Sequence, residues 1–281
     1  MNFGIRLATG LAAVAALAAM GCTTAAGEGK VATKTGDAAI APCGSEALID
    51  DCEDQNNQVI VQDGRSGYWY TYVDEVGSTI EPTAGAQGGQ FVMSPGGANG
   101  SQYAARMSGK VATGGTVYCG MGFNLTDPKD AYDASKYGGV KFYAKKAGGS
   151  TGTVRLKIPD SSTDPDAGRC QECYNDFGAT MELTGEWTEY VLPFYLTKQE
   201  ESWGDHFPAI TPSKLYGMQW QTNIPGAAYD IWVDDISFVG CDSVSAAPAE
   251  PAPAAAAPPP PAEPAAAEPA DDAAPAPVPV E

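Results

Sequence analysis

Histidine is almost missing from this chain: His206 is the single one in 281 residues. A zinc site would need a second cluster of ligands, and a His-based relay for activating a nucleophile has no partner pattern here. Basic residues are also scarce, 16 Lys and Arg against 35 Asp and Glu, for a formal net charge of −19. A nucleic acid would be repelled, and so would an anionic membrane surface, which excludes both as direct partners. Past the N-terminal segment no apolar run approaches the ~20 consecutive residues of a transmembrane helix. Helical periodicity is lacking too, although Lys198 to Trp203 could form a turn.

What is present sorts the chain into four stretches. Met1 to Arg6 followed by the mostly apolar Leu7 to Met20 has the n-region and h-region of a secretory signal. Ala19-Met20-Gly21-Cys22 resembles a lipobox, so residues 1–21 are expected to be removed and Cys22 to be lipidated. That would tether the chain to the cell envelope, on the outer-membrane, periplasmic or cell-surface side, with the lipid as its one membrane contact. Residues 22–42 are small and polar, a leader. Residues 242–281 are Ala, Pro and acidic residues with a block at Pro258 to Pro261, a proline-rich tail that cannot bury apolar surface. The foldable part is 43–241, long enough for one substantial core.

Six cysteines remain beside Cys22, an even number that reads as disulfides in an exported domain: Cys43, Cys52, Cys119, Cys170, Cys173 and Cys241. Cys43 and Cys241 bracket the fold and could staple its ends. Cys170-Gln-Glu-Cys173 permits a redox pair or half a zinc site, but a structural loop bridge fits the oxidising compartment better. Gly-Gly pairs at Gly88, Gly96, Gly114, Gly138 and Gly148 punctuate the sequence where reversals would fit. Period-two alternation marks Val140 to Lys145, Val154 to Ile158, Thr188 to Phe194, Gly217 to Thr222 and Tyr229 to Val239. Many short strands without helices imply an all-β antiparallel sandwich with jelly-roll topology.

Several runs then point to a family. Leu48 to Asp54, Lys141 to Lys145, Cys173 to Gly178, Glu186 to Tyr190 and Tyr229 to Phe238, in this order, resemble bacterial carbohydrate-binding modules of the galactose-binding-like β-sandwich type, most similar to family 11 modules. The resemblance covers nearly all of residues 45–241. It implies a two-sheet sandwich with first and last strands side by side and a structural Ca2+ near them. Glu53 and Asp235, with Asp51 beside them, are the positions carried over as ligands, of the hard-oxygen type that calcium takes. One departure is Cys52, where the family has a buried aromatic; a disulfide there would replace that packing.

Sugars are held by aromatic rings stacked on pyranose C–H faces and by planar polar groups that pair with hydroxyls. Alternation puts Tyr143, Arg155, Gln219 and Gln221 on polar faces, and these four would line one groove if their strands share a sheet. Tyr68, Trp69, Tyr70 and Tyr72, and Trp203 near His206, are read as loop residues, with Trp69 and Trp203 as candidate platforms. Trp187, Trp220 and Trp232 are read as core. Gly148-Gly149-Ser150-Thr151-Gly152 has the letters of a nucleophile elbow but joins two strands, where an elbow needs a strand and a helix. The expectation is therefore a monomeric, non-catalytic binder of poly- or oligosaccharide, with a β-glucan as one candidate. A protein-binding or envelope-structural lipoprotein, or a jelly-roll glycoside hydrolase or lyase, are the alternatives.

Overall fold

The computed structural model describes residues 43–85 and 90–241. The expected signal segment, Cys22, the leader 22–42 and the tail 242–281 lie outside these, as does the Gly-Gly pair at Gly88. Among the described residues no helix is long and apolar enough to cross a membrane.

The strands in chain order are β1 (Leu48–Asp50), β2 (Trp69–Val73), β3 (Thr79–Glu81), β4 (Ser94–Pro95), β5 (Tyr103–Lys110), β6 (Cys119–Asn124), β7 (Gly139–Lys146), β8 (Thr153–Ile158), β9 (Phe177–Glu182), β10 (Thr188–Pro193), β11 (Gly217–Thr222) and β12 (Ala228–Val239). They form two antiparallel sheets, as the sequence implied. One runs β10-β7-β12-β5-β3 with β1 on β12 and β4 on β5, seven strands in all; the other runs β2-β6-β11-β8-β9. First and last strands do lie side by side, Leu48 opposite Ser237.

Alternation explains the packing. In β8, Val154, Leu156 and Ile158 turn inward while Arg155 turns out; in β7, Val140, Phe142 and Ala144 are buried between partly exposed Lys141, Tyr143 and Lys145. The two inner faces share one core. Phe142 from the seven-stranded sheet meets Trp220 from the five-stranded sheet edge-on at 5.2 Å, and Trp220 stacks on Trp69 at 5.8 Å. Replacing a wholly buried Trp220 with Ala would cost about 3–5 kcal/mol.

Two disulfides close the framework, Cys43–Cys241 at the ends and Cys170–Cys173 within one loop. Cys52 and Cys119 are free buried thiols rather than bridge partners. Cys52 therefore packs as a small apolar side chain where a disulfide was expected, and burial pushes its thiol pKa up.

Candidate functional site

The outer face of the five-stranded sheet can be read strand by strand from its register. Across β2, β6, β11, β8 and β9 one row runs Tyr72, Gly120, Gln221, Arg155, Thr180 and the next Tyr70, Gly122, Gln219, Lys157, Gly178. Trp69, Met121, Phe123, Trp220 and Leu156, one residue out of phase, point into the core. Three expected residues, Arg155, Gln219 and Gln221, thus stand together, with Tyr70 and Tyr72 beside them on a strand rather than a loop.

Two glycines make this face a floor. A Cβ on Gly120 would collide with the Tyr72 ring, and one on Gly122 with the Gln219 side chain and the Met218 carbonyl. Tyr72 and Gln219 can lie across β6 only because β6 has no side chains there. Tyr72 Oη then donates to Gln221 Oε1 at 3.2 Å, and Gln219 Nε2 donates to Tyr70 Oη at 2.8 Å. These bonds pin both amide planes and use one group of each amide, Gln221 Oε1 and Gln219 Nε2. The Tyr70, Tyr72 and Tyr118 rings follow one another at 6.2 Å each. Burial pushes the Tyr70 and Tyr72 phenols well up, so both are neutral donors at physiological pH.

Loops close the far side. Arg155 Nη2 donates to the carbonyls of Asp176 (3.1 Å) and Lys198 (2.6 Å), so loop backbone reaches over the floor. Burial pulls its pKa down, while Glu200 and Asp176 hold it up. Lys157 points outward yet is nearly covered, its Nζ 3.1 Å from the buried Asp176 carboxylate. Burial raises the Asp176 pKa and Lys157 opposes that rise. Lys198 also makes an isolated antiparallel bridge to Gly178 of β9. Trp203 is exposed, its Nε1 donating to Glu200 Oε2 at 2.8 Å.

Other expectations are corrected. Tyr143 lies on the outer face of the opposite sheet, facing Glu189 and Asp234, because β7 pairs with β10 and β12 and not with β8. Alternation fixes a side of a strand but not its sheet. Trp69 is fully buried and donates through Nε1 to Asp50 Oδ2 at 2.6 Å, so it is no platform. Of the three tryptophans expected in the core only Trp220 is there. Trp187 and Trp232 are half-buried on the outer face of the seven-stranded sheet, with Lys145 Nζ 4.6 Å and 5.0 Å from their ring centres and Arg106 4.7 Å from that of Trp232. Ser150 sits in the turn between β7 and β8, as expected, with no elbow around it.

Two acids near the first and last strands accept backbone N–H groups. Glu53 Oε1 accepts the backbone N–H groups of Gln102 and Tyr103, and Asp234 takes those of Ala98 and Asp235. Burial, then the charges of Asp51 and Glu53, raise the pKa of Asp235. Among the described residues no three His, Cys, Asp or Glu side chains gather closely enough to hold a metal ion. A separate hollow between Val76, Thr79, Lys110 and Val111 gathers no comparable polar set.

No family model matches the chain, and no curated protein matches it. Among solved structures, it is similar to the family 11 carbohydrate-binding module of the cellulosomal cellulase Lic26A-Cel5E of Clostridium thermocellum, at 13% identity, covering 72% of this chain and 96% of that one with a TM-score of 0.47. It is also similar to a family 11 module from the same organism in complex with a β-1,3-1,4-mixed-linked tetrasaccharide, at 15% identity over 69% and 95% of the two chains with a TM-score of 0.48. A family 30 module follows at 10% identity over 60% and 91%, with a TM-score of 0.42.

Proposed function

We propose that this chain is a non-catalytic carbohydrate-binding protein, holding poly- or oligosaccharide on the outer face of its five-stranded sheet. The observation that carries this reading is the pair of rows over Gly120 and Gly122, where two amide planes are held by two tyrosine hydroxyls beside a positioned guanidinium. Amides and guanidinium supply the planar hydrogen bonds that vicinal hydroxyls take, and the tyrosine rings supply stacking surface. Successive rings 6.2 Å apart suit more than one sugar unit, hence a chain rather than a lone monosaccharide. A neutral glycan, with a β-glucan as first candidate, meets no repulsion from the strongly acidic chain.

The two rows contain no carboxylate, and the nearby Asp176 is tied to Lys157, so the paired acid and base of glycoside hydrolysis are not on the floor. In this reading lipidated Cys22 holds the monomer at the cell envelope. The test is affinity electrophoresis of the purified chain in gels containing soluble glucans, with a glycan array to widen the search. A parent retarded by a glycan that Gln219→Ala/Gln221→Ala no longer senses supports the assignment. Equal retardation of both proteins removes these residues from the site, and release of reducing sugar would replace binding by catalysis.

A further inference from the structure

The short disulfide does not brace the core. Cys170 and Cys173 are three residues apart and only partly buried, so bridging them restricts the unfolded chain far less than the 198-residue closure at the ends. Its neighbours show what it does brace. Within the bridged turn, the N–H groups of Gln171 and Glu172 both donate to Asp205 Oδ2, at 2.5 and 3.2 Å, and Asp205 N–H returns to the Glu172 carbonyl at 3.0 Å. Just beyond it, Asn175, which is buried, donates through Nδ2 to the carbonyls of Glu200 (2.8 Å) and Trp203 (2.5 Å) and accepts the Glu200 N–H at 2.9 Å. Asp176 and Lys198, one from each loop, offer the two carbonyls that hold Arg155. An unbroken set of bonds therefore runs from the sulfurs to the guanidinium on the floor. Tyr174, directly after Cys173, has a φ of 72°, a conformation costly for a non-glycine residue and held here between the bridge and the Thr163 carbonyl. The pair of loops exposes two large aromatics, Tyr174 at 59% and Trp203 at 42%.

We propose that the Cys170–Cys173 disulfide is a redox-sensitive latch, holding the wall that positions Arg155 and presents Trp203 beside the floor, so that its reduction by a dithiol weakens saccharide retention. This rests on the floor being the sugar site. In the chemical step a thiolate of the dithiol attacks one sulfur and the S–S bond breaks into a mixed disulfide. The second thiolate of the reductant displaces it, leaving a cyclic disulfide and two cysteine thiols, with two electrons and two protons transferred to the protein. Freed of the bridge, Tyr174 relaxes and the turn loses its aim at Asp205.

The experiment is affinity electrophoresis of the full chain in soluble mixed-linkage β-glucan, comparing parent, dithiothreitol-reduced parent and Cys170→Ser/Cys173→Ser. Alkylation mapping selects a reductant dose at which Cys170 and Cys173 are labelled while Cys43–Cys241 stays joined. The expected result is retention about fivefold to tenfold weaker in the double variant and in the reduced parent. The variant should ignore reductant and melt within a few degrees of the parent. A double variant retained as strongly as a binding parent overturns the latch alone. A parent that no glycan retards overturns the floor reading instead. The latch is then read from Trp203 emission, which reduction should shift in the parent but not in Trp203→Phe; an unchanged parent spectrum overturns it.

Discussion

The outer faces of the two sheets use the same ingredients, aromatics beside cations and polar groups, and put them to opposite ends. On the seven-stranded sheet Trp187, just before β10, is followed by Lys145 on β7, Trp232 on β12 and Arg106 on β5, and Arg106 also makes a two-pronged pair with Asp230 at 2.6 and 2.8 Å. Ring faces meet cations from the same sheet, and the guanidinium has its carboxylate. On the five-stranded sheet the Gln221 and Gln219 amides each spend one group on a tyrosine and keep the other, while Arg155 meets only carbonyls. A face that satisfies itself stabilises the sheet; one that orients its polar groups and leaves some unused is what the proposed saccharide site requires.

The largest break in this contrast should come from the floor. Tyr72→Ala removes a stacking ring and a hydroxyl, each worth about 1 kcal/mol, so glycan retention should weaken about 30-fold. Gly120→Val sharpens the test, because it keeps the tyrosine and denies it its place over β6. The same loss is expected in affinity gels, and full retention by Gly120→Val would mean that the ring need not lie there.

The converse change is smaller and of a different kind. Trp232→Ala removes two cation–π contacts and cross-strand packing, together about 2 kcal/mol. For a domain of this size the melting temperature should fall by roughly 4–8 °C. Retention by glucan gels should stay level. A Trp232→Ala protein that keeps its melting temperature and loses the glycan would reverse the roles assigned to the two faces.

Much of this contrast was written in residue parity. In β12, Tyr229, Ile231 and Val233 share one side and Trp232 falls between them, so its outward position was legible and was overruled by the habit of burying tryptophan. Trp187 likewise shares parity with Glu189 and Val191, opposite buried Tyr190 and Leu192. Strands β7, β8 and β10 to β12 showed themselves by alternation. Strand β6 did not, because Gly120 and Gly122 look like turn residues until Tyr72 and Gln219 are seen lying on them. Sheet membership was illegible for a deeper reason. The turn at Gly148 and Gly149 carries the chain from β7 in one sheet to β8 in the other, and nothing local distinguishes that crossing from a hairpin. This is why Tyr143 was grouped with Arg155.

Fold stability and glycan retention should also part over pH. Burial raises Asp50 to a pKa of about 7 despite its bonds from Trp69 and Cys52, and raises Asp234 to about 7 despite those from Ala98 and Asp235. Both belong to the seven-stranded sheet, on β1 and β12. A carboxyl that ionises near 3.9 unfolded and near 7 folded binds more protons in the native state between these values. Its stabilising contribution is complete below about pH 4 and is lost as pH rises through 7. Asp63, held down to about 2 by Tyr132, Lys136 and Tyr137 against its burial, acts in the opposite sense, but its window lies below pH 4 and leaves the range above it untouched. Even ~1 kcal/mol of this linkage makes the domain melt about 2–4 °C higher at pH 5 than at pH 8. Asp234→Asn should flatten that slope, since the amide oxygen can still accept the Ala98 N–H without a charge to bury. On the floor, Arg155 stays charged and Tyr70 and Tyr72 stay neutral from pH 5 to 8, so these three groups give retention no pH dependence of their own over the range in which stability declines. Calorimetry across pH, run beside affinity gels at the same pH values, checks both halves; a melting temperature that stays level from pH 5 to 8 would mean that these two acids are already ionised in the fold at pH 5.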